Sequence, residues 1–350
     1  MKKLLTFVSA ITAGAIGTAS ADVSVSGSSN FFYASGSGDA NSAIQEDSMS
    51  VVGGTLAFAM STETTNGITV SGSATVSAVT TDTGVGATAV PNGGLSQISF
   101  GMDGMTVTLG DINNAGSGTG EGGDVSSFAS VNAARLTTAS AAAANDSSMD
   151  GIADGTGINI STSIGAASVD LTLVSTVGSG RNSLSANTKT AGYNSGYAIN
   201  VGFDLAGAAV NVAAGGADSM VAGTDNDSAF AVEASYPVSD ALSVTVGSSS
   251  GTRGIASDAA VSPLVAAEED NMFVTAAYTM DADTTLSLGY AKGDNTASTV
   301  LDKASIASVN ITRSLGGGVS VFAEYAAVDN NNAGTTTSAT SLAVGTVVSF

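Results

Sequence analysis

The chain has 350 residues, with 30 Asp and Glu against 9 Lys and Arg, no Cys and no His, and a formal charge of −21. The absence of histidine removes the commonest general base and metal ligand, and the absence of cysteine removes disulfides, thiolate metal sites and cysteine nucleophiles. No enzyme is expected, and with so few bases to neutralise phosphates, no nucleic-acid partner either.

The first residues, MKKLLTFVSAITAGAIGTASA, set Lys2 and Lys3 before an apolar run from Leu4 to Ile16 and end on Ala19, Ser20 and Ala21. That pattern predicts a cleaved signal peptide over 1–21 and a single exported domain over 22–350. Beyond it, no run approaches the roughly 18 apolar residues of a membrane helix. Yet only 11% of residues are charged, with 44 Gly and 3 Pro, against roughly 25% charge in ordinary soluble domains. If such a chain meets a membrane, it meets it as strands.

Alternation at period two recurs along the whole remainder. Val169, Leu171 and Leu173 oppose Asp170 and Thr172; Tyr197, Ile199, Val201 and Phe203 oppose Ala198, Asn200 and Gly202. Phe230, Val232, Ala234 and Tyr236 oppose Ala231, Glu233 and Ser235, and Leu286, Leu288 and Tyr290 oppose Ser287 and Gly289. A water-soluble sandwich alternates in the same way, so the connections must decide. Short ones fall at Asp103 with Gly104, Gly165, Ala206 with Gly207, Pro237 to Asp240, Asp281 to Asp283 and Gly316 to Gly318. Long ones, rich in Gly, Asp, Asn, Ser and Thr, run roughly over 35–47, 81–93, 113–155, 177–191, 217–226, 252–270, 294–302 and 329–337.

Short turns on one rim and long loops on the other are the mark of an outer-membrane barrel. The alternating segments number about sixteen, near Val23, Val51, Ile68, Leu95, Val107, Ile158, Val169, Ile199, Val210, Val232, Val244, Val274, Leu286, Val309, Val321 and Val344. The expected fold is therefore all-β, a transmembrane antiparallel up-and-down β-barrel, with both termini on the short-turn rim.

Strand parity points Asp170, Glu233 and Glu324 to the lumen wall, because a charge at the lipid midplane costs about 2–4 kcal/mol for Arg or Lys and less for an acid. Phe31, Phe32, Tyr33, Tyr236, Tyr278, Tyr290, Tyr325 and Phe350 fall near strand ends, where aromatic girdles form. The small residues of AGAAVNVAAGG, Ala206 to Gly216, leave room for packing against another subunit. Gly247 to Gly251 spells a serine elbow, but with no His to activate the serine it reads as a strand end. DNNNAG at Asp329 to Gly334 half matches a calcium loop and then offers Thr340 where a bidentate Glu is required. At the C-terminus, Leu342, Val344, Thr346, Val348 and Phe350 share one face of an extended chain.

Three segments carry a family resemblance: DVSVSG (Asp22 to Gly27), GMTVTLGD (Gly104 to Asp111) directly before the longest loop, and the terminal Phe350. Together they resemble the general porins of Gram-negative outer membranes, trimeric sixteen-stranded barrels, particularly those of alphaproteobacteria. The resemblance implies a homotrimer that passively passes small hydrophilic solutes and touches outer-membrane lipid and lipopolysaccharide. It implies that Phe350, with Val348, Val344 and Leu342, is read by the barrel-assembly machinery; Thr346, usually something more apolar in the family, departs from that pattern. It also implies that the loop over 113–155 folds into the lumen as a constriction, with Glu121, Asp124, Arg135, Asp146, Asp150 and Asp154 as its candidate lining.

One departure from the family is larger. Such porins commonly face the acidic loop with a wall of Arg and Lys, whereas here no base occurs between Lys3 and Arg135. The expected pore is therefore acidic and cation-preferring. No resident cofactor is expected; the charge alone suggests Ca2+ at the acidic loops. The alternative from another class is a secreted, acidic surface-layer or adhesin-like structural β protein. A solenoid of that kind should repeat at a fixed length, and the linker lengths here vary widely.

Overall fold

The computed structural model describes residues 21–38, 48–78, 95–112, 115–116, 118–120, 148–149, 152–153, 155–177, 193–219, 226–254, 266–295, 303–332 and 335–350. The strands are β1 (Ala21–Gly38), β2 (Ser48–Glu63), β3 (Thr69–Ala78), β4 (Leu95–Met102), β5 (Met105–Ile112), β6 (Gly155–Ile164), β7 (Ala167–Val177) and β8 (Tyr193–Leu205). They continue with β9 (Ala208–Ser219), β10 (Asp227–Pro237), β11 (Leu242–Gly254), β12 (Ala266–Thr279), β13 (Thr284–Asn295), β14 (Lys303–Gly316), β15 (Val319–Asn332) and β16 (Thr335–Ser349). Each pairs with its neighbours in the chain, and β1 pairs antiparallel with β16 to close the barrel. The seam includes the last residue: the Gly27 N–H donates to the Phe350 carbonyl at 2.9 Å, and the Phe350 N–H returns to the Gly27 carbonyl at 3.0 Å. Closure leaves no sheet edge along the paired seam.

Two hairpins show how sequence fixes the short-turn rim. Asp103 and Gly104 have φ of 46° and 79°, and Ala206 and Gly207 have φ of 53° and 87°. Both central residues are left-handed, as a two-residue turn matched to the twist of its strands requires, and glycine supplies the second at no steric cost.

The pleat then sorts the side chains. Tyr197, Phe230 and Leu342 are 56%, 51% and 50% exposed on the outer face, while Ala198, Ala231 and Ala343 on the inner face are wholly buried. Large apolar groups therefore face out, the reverse of a water-soluble barrel. Phe31, Tyr33, Tyr236, Tyr278, Tyr290, Tyr325 and Phe350 are all exposed there. Phe32 departs from the girdle expectation, because three consecutive aromatics cannot share one face of a strand. It turns inward and is buried with Phe322 and Ala343, with Val347 packed alongside. Gly345 makes this fit, since a Cβ there would run into Phe31, Phe32 and Phe322.

The polar composition of 329–337 misleads the sequence reading. Those residues extend β15 and β16, and only 333–334 connect them; in the ladder the Ser338 hydroxyl donates to Asp329 Oδ1 at 2.5 Å. The strand expected near Ile68 is β3, which begins one residue later, and the Thr64 hydroxyl accepts the Ile68 N–H at 3.0 Å.

Candidate functional site

Described residues from the two ends of the long connection between β5 and β6 lie inside the barrel, fixed to the inner wall of β7 to β11. The Ala115 N–H donates to Thr172 Oγ1 at 2.8 Å and the Thr119 hydroxyl to Asn200 Oδ1 at 3.4 Å. The Gly120 N–H donates to Glu233 Oε2 at 3.4 Å, and the Ser148 N–H to Ser249 Oγ at 2.9 Å. Around these bonds, Ala115, Met149, Ile152 and Ala153 form one buried cluster with Val174, Ala198, Ala213, Ala217, Ala229 and Ala231. Thr172 also accepts from Asn159 Nδ2 at 3.0 Å, which holds its hydroxyl toward the loop.

Close approach explains the small residues on both sides. A Cβ on Gly116 would lie 2.5 Å from that of Ala213, and one on Gly120 would lie 2.8 Å from the Ser248 carbonyl. Both distances are shorter than real Cβ contacts, so any larger residue must push the loop off the wall. Two residues of the small run from Ala206 to Gly216 thus have a use different from subunit packing: Ala213 and Gly215 face inward under the loop.

Asp170 and Glu233 sit at inward positions of β7 and β10, in register with Asn200 and Asn211 respectively. Glu324, at an inward position of β15, is 1% exposed; its Oε2 accepts from Asn310 Nδ2 at 3.1 Å, and Asn310 Oδ1 accepts from the Thr312 hydroxyl at 2.9 Å. A buried carboxylate is tolerable only when hydrogen-bonded, and this amide supplies one such bond. Glu121, Asp124, Arg135, Asp146, Asp150 and Asp154 lie outside the described residues. So do the acid-rich loops assigned to Ca2+, and among the described residues no three acids gather as a metal site. Leu342, Val344, Val348 and Phe350 occupy outward positions of the last strand and its end, with Phe350 76% exposed.

The described basic side chains face outward, where some acids, Asp294 among them, join them. Among the side chains described, Lys292, Lys303 and Arg313 all occupy outward positions, in register with Met272, Asp294 and Thr284. Lys303 pairs with Asp294 at 2.7 Å; Arg313 lies 3.7 Å from Asp281 and donates to Thr284 Oγ1 at 3.1 Å. At that exposed turn the Asp281 carboxyl is held below its ordinary value, first by the Asp283 N–H and then by the Thr284 hydroxyl. Sequence reading missed two features of the inner wall. Asp22, Asp204 and Asp227 also take inward positions, in register with Ser61, Ala209 and Ala217. The inner wall of β1 to β6 is a field of hydroxyls and amides, in which Ser99 and Thr108 share a 2.8 Å bond. Parity counted from Tyr33, Phe203 and Phe230 was the available signal for the acids, and parity from Leu109 for the hydroxyls.

A family model of Gram-negative porins matches residues 6–333. The chain belongs to that family. This porin's closed barrel is an outer-membrane channel of a Gram-negative bacterium, and the surface-layer alternative is set aside. By structure it is similar to a porin refined at 1.8 Å resolution, with TM-score 0.65 and 17% identity over 94% of this chain and 100% of that one. It is similar to the outer-membrane channel DcaP of Acinetobacter baumannii, with TM-score 0.64 and 13% identity over 94% and 97% of the two chains. A loop-deletion form of OmpT from Vibrio cholerae gives TM-score 0.61 and 14% identity over 94% and 99%. No curated protein matches the sequence. At these identities the structural likeness carries the fold, while the family carries the channel.

Proposed function

We propose that this porin is a homotrimeric, cation-preferring pore through which small hydrophilic solutes diffuse without a covalent step or an energy source. One observation carries the charge preference: Asp170, Glu233 and Glu324 line inward positions, while Lys292, Lys303 and Arg313 all face outward. Carboxylates on a low-dielectric wall raise the local cation concentration and repel anions; of the described bases, Arg253 alone takes an inward position, at the far end of β11. The docked loop adds to this, because its Gly120 N–H holds Glu233 at the wall. The sequence of the same connection adds five acids, Glu121, Asp124, Asp146, Asp150 and Asp154, against a single base, Arg135.

Trimerisation is supported by OmpT of Vibrio cholerae, described in a trimer form. Phe350, on the outer face beside Val348, Val344 and Leu342, is the feature the barrel-assembly machinery reads, and the apolar outer belt meets lipid and lipopolysaccharide. The test is the reversal potential of the purified protein in a planar bilayer under a potassium chloride gradient. A cation-selective potential that moves toward zero in Asp170→Asn/Glu233→Gln supports the proposal; an anion-selective wild type refutes it.

A further inference from the structure

The described loop residues occupy β7 to β11, and the inner wall of β1 to β6 carries a different chemistry. Ser71 stands in register with Ser61 on one side and Ser99 on the other. With Ser24, Ser73 and Gln97 these residues line a recess of about 370 Å³, to which Asp22 contributes a carboxylate. The size lies within the roughly 300–1,000 Å³ of small-molecule sites; hydroxyl, amide and carboxylate groups share the lining with Val23, Ala59, Met60 and Gly72, a more polar surface than most such sites offer.

A serine hydroxyl both donates and accepts, and the glutamine amide offers both functions at fixed ends. Such a wall can take over the hydration of a polyhydroxylated solute whichever way its hydroxyls turn. An arginine wall would repel a cation, whereas this one does not. A solute matched to the whole cross-section therefore has hydroxyls along one edge and a positive charge on another. We propose that the recess on β1 to β4 is a selectivity station for protonated amino sugars and amino polyols. Ser24, Ser61, Ser71, Ser73, Ser99 and Gln97 exchange hydrogen bonds with the solute hydroxyls. Asp22, and Asp170 and Glu233 on the loop-bearing arc, attract its ammonium group. The station rests on the cation-preferring pore proposed above and names the solute class that pore favours.

The experiment compares influx of D-glucosamine, D-glucose and D-glucuronate at pH 6 into liposomes carrying the full mature chain, with potassium conductance measured on the same preparations. Wild type is expected to pass glucosamine faster than glucose and glucose faster than glucuronate. In Ser61→Ala/Ser71→Ala/Ser73→Ala/Ser99→Ala the ratio of glucosamine influx to potassium conductance is expected to fall at least about three-fold, since a net hydrogen bond is worth close to a factor of five. Gln97→Leu alone should move the ratio in the same direction, which keeps the test open if the quadruple variant does not form a barrel. An unchanged ratio in folded variants, or equal influx of glucosamine and glucose in wild type, overturns the station and leaves the cation-selective pore standing. An anion-selective wild type removes the pore reading itself, and the station with it.

Discussion

Docking of the long loop depends on two glycines, and replacing both should release it. Gly116 and Gly120 have φ of 91° and 72° and approach Ala213 and the Ser248 carbonyl closely. An L-residue in that left-handed region costs about 1–2 kcal/mol. A Cβ 2.5 Å from another must move by roughly 1 Å to reach ordinary contact, and the barrel strand beneath cannot yield. Such a shift breaks the Ala115 bond to Thr172, and an orphaned buried N–H costs about 1–3 kcal/mol. Together Gly116→Ala/Gly120→Ala should shift the docked-to-undocked ratio by about 3–7 kcal/mol, roughly a hundred-fold to a hundred-thousand-fold. Gly67→Ala/Gly104→Ala is the matched control, with φ of 77° and 79° and nothing within 4 Å of either new Cβ. The first variant should show larger, noisier single-channel conductance and faster tryptic cleavage after Arg135, the only base between Lys3 and Arg181. The control should match wild type in both. Identical behaviour of the two variants would refute the steric account of docking.

Two further predictions concern the rims. Asp281 has a depressed carboxyl pKa, so its support of the turn to β13 is present above its unfolded value, near 3.8, and is lost as pH falls through the folded value. Protection of the Asp283 and Thr284 amides, relative to their intrinsic exchange rates, should therefore fall as the pH drops below that range in wild type, with little such pH dependence in Asp281→Asn; equal acid sensitivity of the two would count against it. Phe350→Ser keeps the backbone bonds to Gly27 but removes the outward ring. Folded, heat-modifiable protein should fall sharply in cells while refolding into detergent is retained, and unchanged accumulation in cells would rule out recognition of the ring.

The strands were legible because a pleat imposes period two on any chain with unlike faces, and lipid outside against water inside makes them unlike. Turn chemistry was legible where glycine marks a left-handed residue, as at Gly104 and Gly207. Legibility ended where composition and conformation part. The Asn- and Thr-rich run after Asp329 reads as loop but pairs as ladder, since polar residues beyond the lipid zone lose nothing by continuing a strand. Phe32 reads as girdle but fills the space that Gly345 leaves. Thr172, Asn200 and Ser249, which hold the loop, give no local sign of it. An inward polar residue looks the same whether it meets water or a segment far away in the chain, and only the closed barrel brings the two together.

The seam joining β1 to β16 also governs the order of manufacture. Every other ladder joins strands adjacent in sequence and can form as its hairpin appears, with little loop entropy to overcome. The seam joins the two strands farthest apart in the sequence, so the barrel closes only once β1 and β16 meet. Until then any partly paired sheet presents two open edges, both ready to pair with another copy. Loss of β16 by premature termination would make that state permanent and leave an aggregation-prone open sheet. Selection against such truncations thus acts through proteostasis, before any question of permeability arises.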